Sequence, residues 1–263
     1  MRHHFLLQAA NAFPDIPESA WATWAASHQT KGLNARKPVA LDQNGYGACA
    51  AFAATNGVLF CEAVSGQPPV ELSALSVYAR SSPWPADNGS DLETNAKIIE
   101  QEGIPEVNFA PQYFGQDKYT NPKTWPAGWK ENAAKHRCQV IDLSGDTAEQ
   151  SFHNLVVALL RGFPAAIGVD WPGGHSIIAV GVVFTSGKVT GILIQNSWGA
   201  DWNGDGTTVR SRANVTNGCA TFGGPFCYVS PTFRSQAAKA GPAAKSEARP
   251  VDRPAEPEHK MAL

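Results

Sequence analysis

Residues 43–52 read Gln-Asn-Gly-Tyr-Gly-Ala-Cys-Ala-Ala-Phe, and Cys49 ends the glycine-rich part of this stretch. The run from Cys49 to Ser65 is rich in Ala and other apolar residues, which predicts a buried helix that Gly66 terminates. A cysteine that opens a helix lies near unsatisfied N–H groups and the positive end of the helix dipole. Because the thiolate is the nucleophilic form of cysteine, this position predicts a reactive thiol. The alternative is a buried, inert cysteine.

Two later motifs supply the groups that would activate such a thiol. His175 follows two glycines, and Asn196 opens an Asn-Ser-Trp-Gly motif. An imidazole can take the proton of a thiol, and an amide can hold the imidazole in one orientation. Gln43 offers an N–H donor for the oxyanion that forms when a thiolate attacks a carbonyl. Each residue alone could be an ordinary strand or turn residue, but together they predict a cysteine nucleophile with its base and oxyanion hole.

In order and separation these residues resemble the papain-like (C1-type) cysteine peptidases, in which His and Asn lie about 130–150 residues after the catalytic Cys. The similarity covers roughly residues 38–230, with little of it across residues 105–150. It includes the segment Leu72-Ser73-Ala74-Leu75 and the run from Gly89 to Gly103. The chain resembles a divergent, short form of the family, without the long helical pro-segment of the family's zymogens.

This resemblance implies an α+β, papain-like fold. A helical subdomain over about residues 38–135, with its central helix starting at the nucleophile, would face a β-barrel-like subdomain over about residues 136–233. The active site would lie in the cleft between them. Residues 1–37 would form an N-terminal leader that could gate the cleft. Residues 234–263 are rich in Ala, Pro and charged residues, which predicts a disordered tail.

The residue patterns add individual elements to this outline. Further helices are predicted over residues 91–102 and 152–160, each followed by a glycine near its end. Strands are predicted over residues 165–169, 176–184, 190–195 and 207–211. The strands are consistent with the β-barrel-like second subdomain that the resemblance implies.

The resemblance also implies a role for each catalytic group. Cys49 would attack a peptide carbonyl and His175 would protonate the leaving amine, while Asn196 would orient the imidazole. Gln43 and the backbone N–H of Cys49 would form the oxyanion hole, and Trp198 would shield the His–Asn hydrogen bond from water. The predicted activity is that of a thiol protease, a cysteine-type hydrolase that acts on a peptide or protein substrate through an acyl-enzyme.

Six residues are predicted to contact substrate: Gly47, Gly89, Ser90, Asp91, Gly174 and Trp198. Ser90 replaces the second glycine of the family's substrate strand, and Asp91 stands where the family has an aromatic residue. With Gly174 leaving the pocket wall open, we expect tolerance of, or preference for, a basic or polar substrate side chain. Alternatively, Asp91 only caps the helix that it precedes.

Two other functions stay open. The first is a cysteine amidase or acyl transferase that acts on a cell-wall or other non-protein amide, an idea motivated by Ser90 and Asp91. The second is a catalytically dead papain-like binding module, suggested by Ala50 where the family has Trp. The joint presence of the four catalytic groups argues against the second.

Composition and charge narrow the possible partners. The formal net charge of −2 gives no electrostatic case for binding nucleic acid or an anionic membrane. No apolar run approaches the roughly 20 residues that span a bilayer.

The run that begins at Asp201 resembles the start of an EF-hand, but its twelfth residue is Arg212, where the calcium loop needs Glu. We therefore expect neither a metal nor another cofactor, and the sequence leaves the oligomeric state open.

The cysteines suggest the compartment. Secreted members of the family commonly have a Cys where this chain has Tyr46, tied by a disulfide to the loop before the substrate strand. Residues 81–90 contain no cysteine, so this bridge is missing. We expect a reducing compartment, cytoplasmic or virion-associated. Cys219 and Cys227 could form a bridge or remain buried thiols.

Overall fold

The computed structural model describes residues 6–8, 12–27, 33, 37–82, 87–110, 112, 121–171, 173–222 and 224–229. The described residues form helices and a largely antiparallel sheet, so the predicted α+β class is confirmed. The helices are α1 Trp21–Ser27, α2 Cys49–Val64, α3 Ala74–Ser81, α4 Leu92–Gln101, α5 Trp129–Ala133, α6 Ala148–Leu160 and α7 Arg212–Phe222. The strands are β1 Leu7–Gln8, β2 Gln139–Asp142, β3 Ala165–Val169, β4 His175–Thr185, β5 Lys188–Gln195, β6 Thr207–Ser211 and β7 Phe226–Val229. The predicted tail over residues 234–263 lies outside the described residues.

The strands form one seven-stranded sheet in the order β1-β2-β7-β3-β4-β5-β6. Only the short β1–β2 pair is parallel among the described strands. The long hairpin β4–β5 lies next to β3; His175 is the first residue of β4, and Asn196 directly follows the last residue of β5. The sheet thus brings together two residues that are distant in the sequence.

Alternate residues of the strands face two separate apolar cores. Ile178 and Val180 of β4 belong to the core that contains α2, whereas Ile177 and Ala179 belong to the core that contains α6. Successive side chains of a strand point to opposite faces, so this alternation requires both faces to be covered. Helices α2, α3 and α4 cover one face, and α6 and α7 cover the other.

Helix α2 is the centre of the first core. Its residues from Ala50 to Cys61 are all buried, which explains why the segment is apolar on every side. Gly57 lets the helix approach the sheet closely, because a Cβ there would lie 2.4 Å from the ring of Tyr228 in β7. Cys49, the first residue of the helix, is only half-buried.

Residues 12–27 pack on the face of the sheet opposite α2. Ile16 and Trp21 belong to the core around α6, and Trp24 Nε1 donates a 3.3 Å hydrogen bond to the carbonyl of Leu160 at the end of α6. Within the predicted leader, residues 12–27 are therefore held against the second core, whereas Leu6 and Leu33 belong to the first.

Several element boundaries differ from those expected. Helix α6 begins at Ala148 rather than at residue 152, because the side chain of Thr147 accepts a 3.1 Å hydrogen bond from the Gln150 N–H and caps an earlier turn. Helix α7 was not predicted, since its sequence mixes Asn, Thr and Gly with few apolar residues. Within the described residues no helix is both long and apolar enough to cross a bilayer.

Candidate active site

Cys49 occupies the first position of α2. The preceding residue, Ala48, has no side-chain acceptor to cap the helix, and the first turn contains no acidic residue. The N–H groups of this turn are therefore without a side-chain partner from the cap, and they favour negative charge at the helix end. The Cys49 thiol at this position is half-buried and therefore partly accessible to a substrate.

His175 and Asn196 form a buried hydrogen-bonded pair. His175 begins β4 and is 8% exposed, and Asn196, which directly follows β5, is fully buried. The distance between His175 Nε2 and Asn196 Oδ1 is 2.7 Å. Asn196 Oδ1 also accepts a 2.9 Å bond from the N–H of Ser197. Because this oxygen only accepts, Nε2 carries its proton and Nδ1 is the ring nitrogen left for acid–base exchange.

Burial controls the titration of this imidazole. Removal of the ring from water lowers the pKa of His175, and the hydrogen bond to Asn196 opposes that effect only in part. The neutral amide thus orients the ring without holding it in the charged form. The neutral imidazole is the form that can accept a thiol proton.

A short antiparallel contact joins the loop before the nucleophile to the loop after Asn196. The N–H of Gln43 donates to the carbonyl of Ser197 at 2.9 Å, and the N–H of Gly199 donates to the carbonyl of Leu41 at 3.0 Å. These bonds connect the segment that leads into α2 with the segment that holds the His–Asn pair. Hydrogen bonds to Ser197 therefore place Gln43 beside the His175–Asn196 pair, and Cys49 lies at the end of the same loop as Gln43.

The side chain of Gln43 is fixed from both ends of its amide. Its Oε1 accepts a 2.6 Å bond from the Ser197 hydroxyl, and its Nε2 donates at 2.6 Å to the carbonyl of Tyr46. An amide nitrogen carries two hydrogens, so a second N–H remains for another acceptor. This arrangement can supply one donor of an oxyanion hole, with little freedom for the side chain to turn away.

An indole cluster, formed by Trp171, Trp198 and Trp202, packs around the imidazole. The ring of Trp171 stacks on His175 with 4.9 Å between centroids and 23° between planes, and Trp198 lies 5.0 Å from His175. Trp202 stands edge-on behind both of these indoles. The Arg210 guanidinium lies 4.7 Å from the ring of Trp171. Trp171 was missed by sequence reasoning, although an aromatic residue four positions before His175 was a usable signal.

The predicted substrate strand starts beside the nucleophile loop. A Cβ at Gly47 would lie 2.9 Å from Asp87 Oδ1 and 3.2 Å from the N–H nitrogen of Gly89. The side chain of Ser90 accepts a 3.0 Å hydrogen bond from Asn95 Nδ2. Asp91 accepts two bonds of 2.7 Å from the N–H and hydroxyl of Thr94. Asp91 therefore caps α4, one of the two roles that the sequence left open.

The expectation that Gly174 leaves the pocket wall open is wrong. A Cβ at Gly174 would lie 2.7 Å from the ring of Phe222, so this ring occupies the space beside the glycine. Phe222 is the last residue of α7 and is 40% exposed. The wall next to His175 is therefore apolar and aromatic. Sequence reasoning missed it because α7 itself was not predicted.

The other four cysteines are buried, and hydrogen bonds to Asp205 hold the turn that resembles an EF-hand loop. Cys61, Cys138, Cys219 and Cys227 are all buried free thiols, so Cys219 and Cys227 are not joined. Asp205 accepts from Lys37 Nζ at 2.7 Å and from the Thr207 hydroxyl at 2.5 Å, and these bonds lower its pKa to about 2. In the described part of the chain, no group of three or more His, Cys, Asp or Glu residues is placed to hold a metal ion.

Comparison with known proteins shows the fold. No protein-family model and no curated protein matches the sequence. Solved structures match with high probability. Xylellain, a cysteine protease from Xylella fastidiosa, is 18% identical with a TM-score of 0.56, covering 73% of this chain and 83% of its own. Digestive procathepsin L 3 of Tenebrio molitor is 18% identical with a TM-score of 0.57, covering 74% of this chain and 67% of its own.

A cysteine protease of Carica candamarcensis is 17% identical with a TM-score of 0.54, covering 75% of this chain and 95% of its own. The chain therefore has the papain-like fold, as its sequence motifs predicted.

Proposed function

We propose that this chain of papain-like fold is a cysteine-type peptidase that hydrolyses peptide bonds. The observation that carries the proposal is the buried 2.7 Å bond between His175 Nε2 and Asn196 Oδ1, in a segment hydrogen-bonded to the loop that leads into Cys49. The bond leaves Nδ1 as the working nitrogen. The substrate is a peptide or protein, as for the proteases that share the fold.

In the first half of the reaction, His175 Nδ1 takes the proton of the Cys49 thiol. The thiolate sulfur attacks the peptide carbonyl carbon, and the negative charge that develops on the oxygen is met by Gln43 Nε2–H and the N–H of Cys49. Loss of one such donor costs about 2.7–4 kcal/mol of transition-state stabilisation in a serine peptidase. The C–N bond then breaks, and the imidazolium gives its proton to the leaving amine.

The second half regenerates the enzyme. His175 takes a proton from water, and the hydroxide attacks the thioester carbonyl. The C–S bond breaks, the acid product leaves, and the proton returns to the sulfur. The indole cluster keeps the imidazole in one plane through both halves, because Trp171 stacks on it and Trp198 lies against it.

The apolar wall bears on substrate choice. Phe222 lies against Gly174, next to His175, and the carboxylate of Asp91 is engaged in capping α4. We therefore propose that the substrate side chain next to this wall is apolar rather than basic. The Phe222→Ala variant is expected to lower kcat/KM several-fold for substrates with Leu or Phe at that position and to leave smaller ones unaffected.

The test is hydrolysis of a diverse peptide mixture, followed by mass spectrometry of the products. Wild type should cleave and Cys49→Ser should not, while Cys219→Ser, which alters a thiol on the opposite side of the sheet from α2, should cleave like wild type. Adding an ordinary amine acceptor such as glycinamide, at a concentration far below that of water, distinguishes hydrolysis from transfer. Products that carry the added amine, with little free acid, would support the acyl transferase alternative. Absence of cleavage by folded wild type would contradict the peptidase proposal and favour a binding module.

A further inference from the structure

The loop that precedes the nucleophile and the loop that precedes the predicted substrate strand are connected through one carboxylate. Asp87 accepts hydrogen bonds from the N–H of Gly47, at 2.9 Å to Oδ1 and 3.2 Å to Oδ2. Asp87 Oδ1 also accepts from the hydroxyl of Tyr78 at 2.5 Å. The Tyr78 oxygen in turn accepts from the N–H of Gly89 at 3.2 Å. We call this chain of bonds the Asp87 clasp.

Tyr78, the residue to which the Asp87 clasp is attached, is packed in the core. Tyr78 lies on α3 and is only 3% exposed, so its ring belongs to the core around α2. Burial, followed by the hydrogen bond to Asp87, raises the pKa of Tyr78, and the hydroxyl therefore keeps its proton and remains a donor. A phenol fixed in the core can thus hold an otherwise exposed carboxylate in one place.

The two loops touch where the clasp joins them. A Cβ at Gly47 would meet both Asp87 Oδ1 at 2.9 Å and the nitrogen of Gly89 at 3.2 Å, so only glycine permits this approach without a shift of the loops. Gly47 lies two residues before Cys49. A displacement of its backbone would move the start of α2 relative to the strand at Gly89 and Ser90.

From this geometry we infer that Asp87 is a positioning residue, which sets the distance between the nucleophile loop and the substrate strand. It does not touch the reacting atoms. The inference rests on the proposed peptidase function, since that function gives Gly89 and Ser90 their role as the surface along which the substrate lies. Loss of the clasp widens this part of the cleft, which weakens substrate binding and misaligns the carbonyl with Cys49.

The experiment compares amide exchange and steady-state kinetics in four variants: Asp87→Ala, Asp87→Asn, Tyr78→Phe and Asp146→Ala. Asp146 is an exposed acid before α6, so its variant controls for loss of one negative charge. Hydrogen exchange is followed at the amides of Gly47 and Gly89. Kinetics are normalised by titrating active sites with an alkylating inhibitor, so that a partly unfolded sample does not count as slow enzyme.

In Asp87→Ala both amides should exchange at least about tenfold faster and KM should rise at least threefold, whereas Asp146→Ala should match wild type. Tyr78→Phe should release the Gly89 amide more than the Gly47 amide. Asp87→Asn retains a carbonyl acceptor for Gly47 and should fall between Asp87→Ala and wild type.

Unchanged exchange at Gly47 in Asp87→Ala, or an unchanged KM with only fewer active sites, would overturn the inference. If folded wild type cleaves no peptide, the proposed function fails, and the exchange pattern alone still decides whether the clasp exists.

Discussion

Two histidines beside the central helix show how the partner of an imidazole decides its use. His175 is held by a neutral amide, Asn196, whereas His136 lies between Glu62 at 2.7 Å and Glu106 at 3.4 Å. Both rings are largely buried. Burial lowers the pKa of His175, and at His136 the same effect is outweighed by the hydrogen bonds and charges of the two glutamates, so that its pKa is raised.

The partners of each imidazole determine whether its ring can exchange a proton with a substrate or a thiol. Carboxylates at both ring nitrogens of His136 favour its protonated form and engage both nitrogens, so this ring links the end of α2 to the segment before β2. The amide at His175 occupies one nitrogen and adds no charge. His175 therefore keeps one ring nitrogen outside its bond to Asn196, as the proposed role of base and then acid requires.

Removal of each ring tests this contrast most severely. His175→Ala should lower kcat/KM for peptide hydrolysis by about 10²–10⁴-fold, because it removes the proposed general acid–base group. His136→Ala removes the same ring at the other site and should leave kcat/KM within about twofold after correction for the folded fraction. Equal losses in the two variants would contradict the assignment of distinct roles.

Replacement of Asn196, the neutral partner of His175, by an acidic residue should make His175 titrate more like His136. Asn196→Asp places a carboxylate against His175 and should raise the pKa of the ring by about 1 unit or more. NMR titration of the ring in a Cys49→Ser background measures this without interference from the thiol. With Cys49 present, kcat/KM should fall about tenfold or more. A ring that titrates as in the parent would show that the amide is not the partner controlling His175.

The stacked indole should have a smaller effect. Trp171→Leu removes the ring that lies 4.9 Å from His175 and should lower kcat by about 2–10-fold, the worth of one aromatic pair. Trp171→Phe should recover most of the activity. Trp202→Leu, which alters the cluster one layer further back, serves as the control, and a larger loss in Trp202→Leu would contradict the role given to Trp171.

The smallest expected effect concerns stability at His136. Since the folded pKa of this ring is raised, its stabilisation is complete below the unfolded value of about 6.5 and is lost as the pH rises through the folded value. Glu62→Gln should therefore reduce the free energy of unfolding by about 1 kcal/mol at pH 5.5 and by less at pH 8.5. Urea titrations at both pH values measure this. A deficit that grows with pH would have the wrong sign.

Short motifs made the fold predictable and indicated the candidate catalytic residues. Cys49, His175 and Asn196 each lie in a local pattern whose chemistry is readable, and the strands around them alternate or run apolar as their burial demands. Xylellain and the other matched structures, below 20% identity, bear out the fold that these motifs indicated. The catalytic roles of Cys49, His175 and Asn196 stay predictions that the variants above test.

Contacts between residues that are far apart in the sequence could not be predicted from local motifs. Asp87 joins Gly47 only because two loops meet, and Phe222 fills the space beside Gly174 only because α7 ends there. Neither residue lies in a periodic or motif-like context. The sequence did show that the family's disulfide between these loops is missing; the hydrogen bonds that join the loops instead depend on tertiary geometry.

The most direct test of the account is the rate at which iodoacetamide alkylates Cys49 from pH 4 to 9, followed by peptide mapping, in wild type and His175→Ala. Alkylation requires the thiolate, so a Cys49 thiol that gives its proton to His175 should react below about pH 8, where a free cysteine is mostly protonated, and the variant should lose this reactivity. Reaction of Cys49 only above about pH 8, and equally in both proteins, would contradict the proposed nucleophile and base.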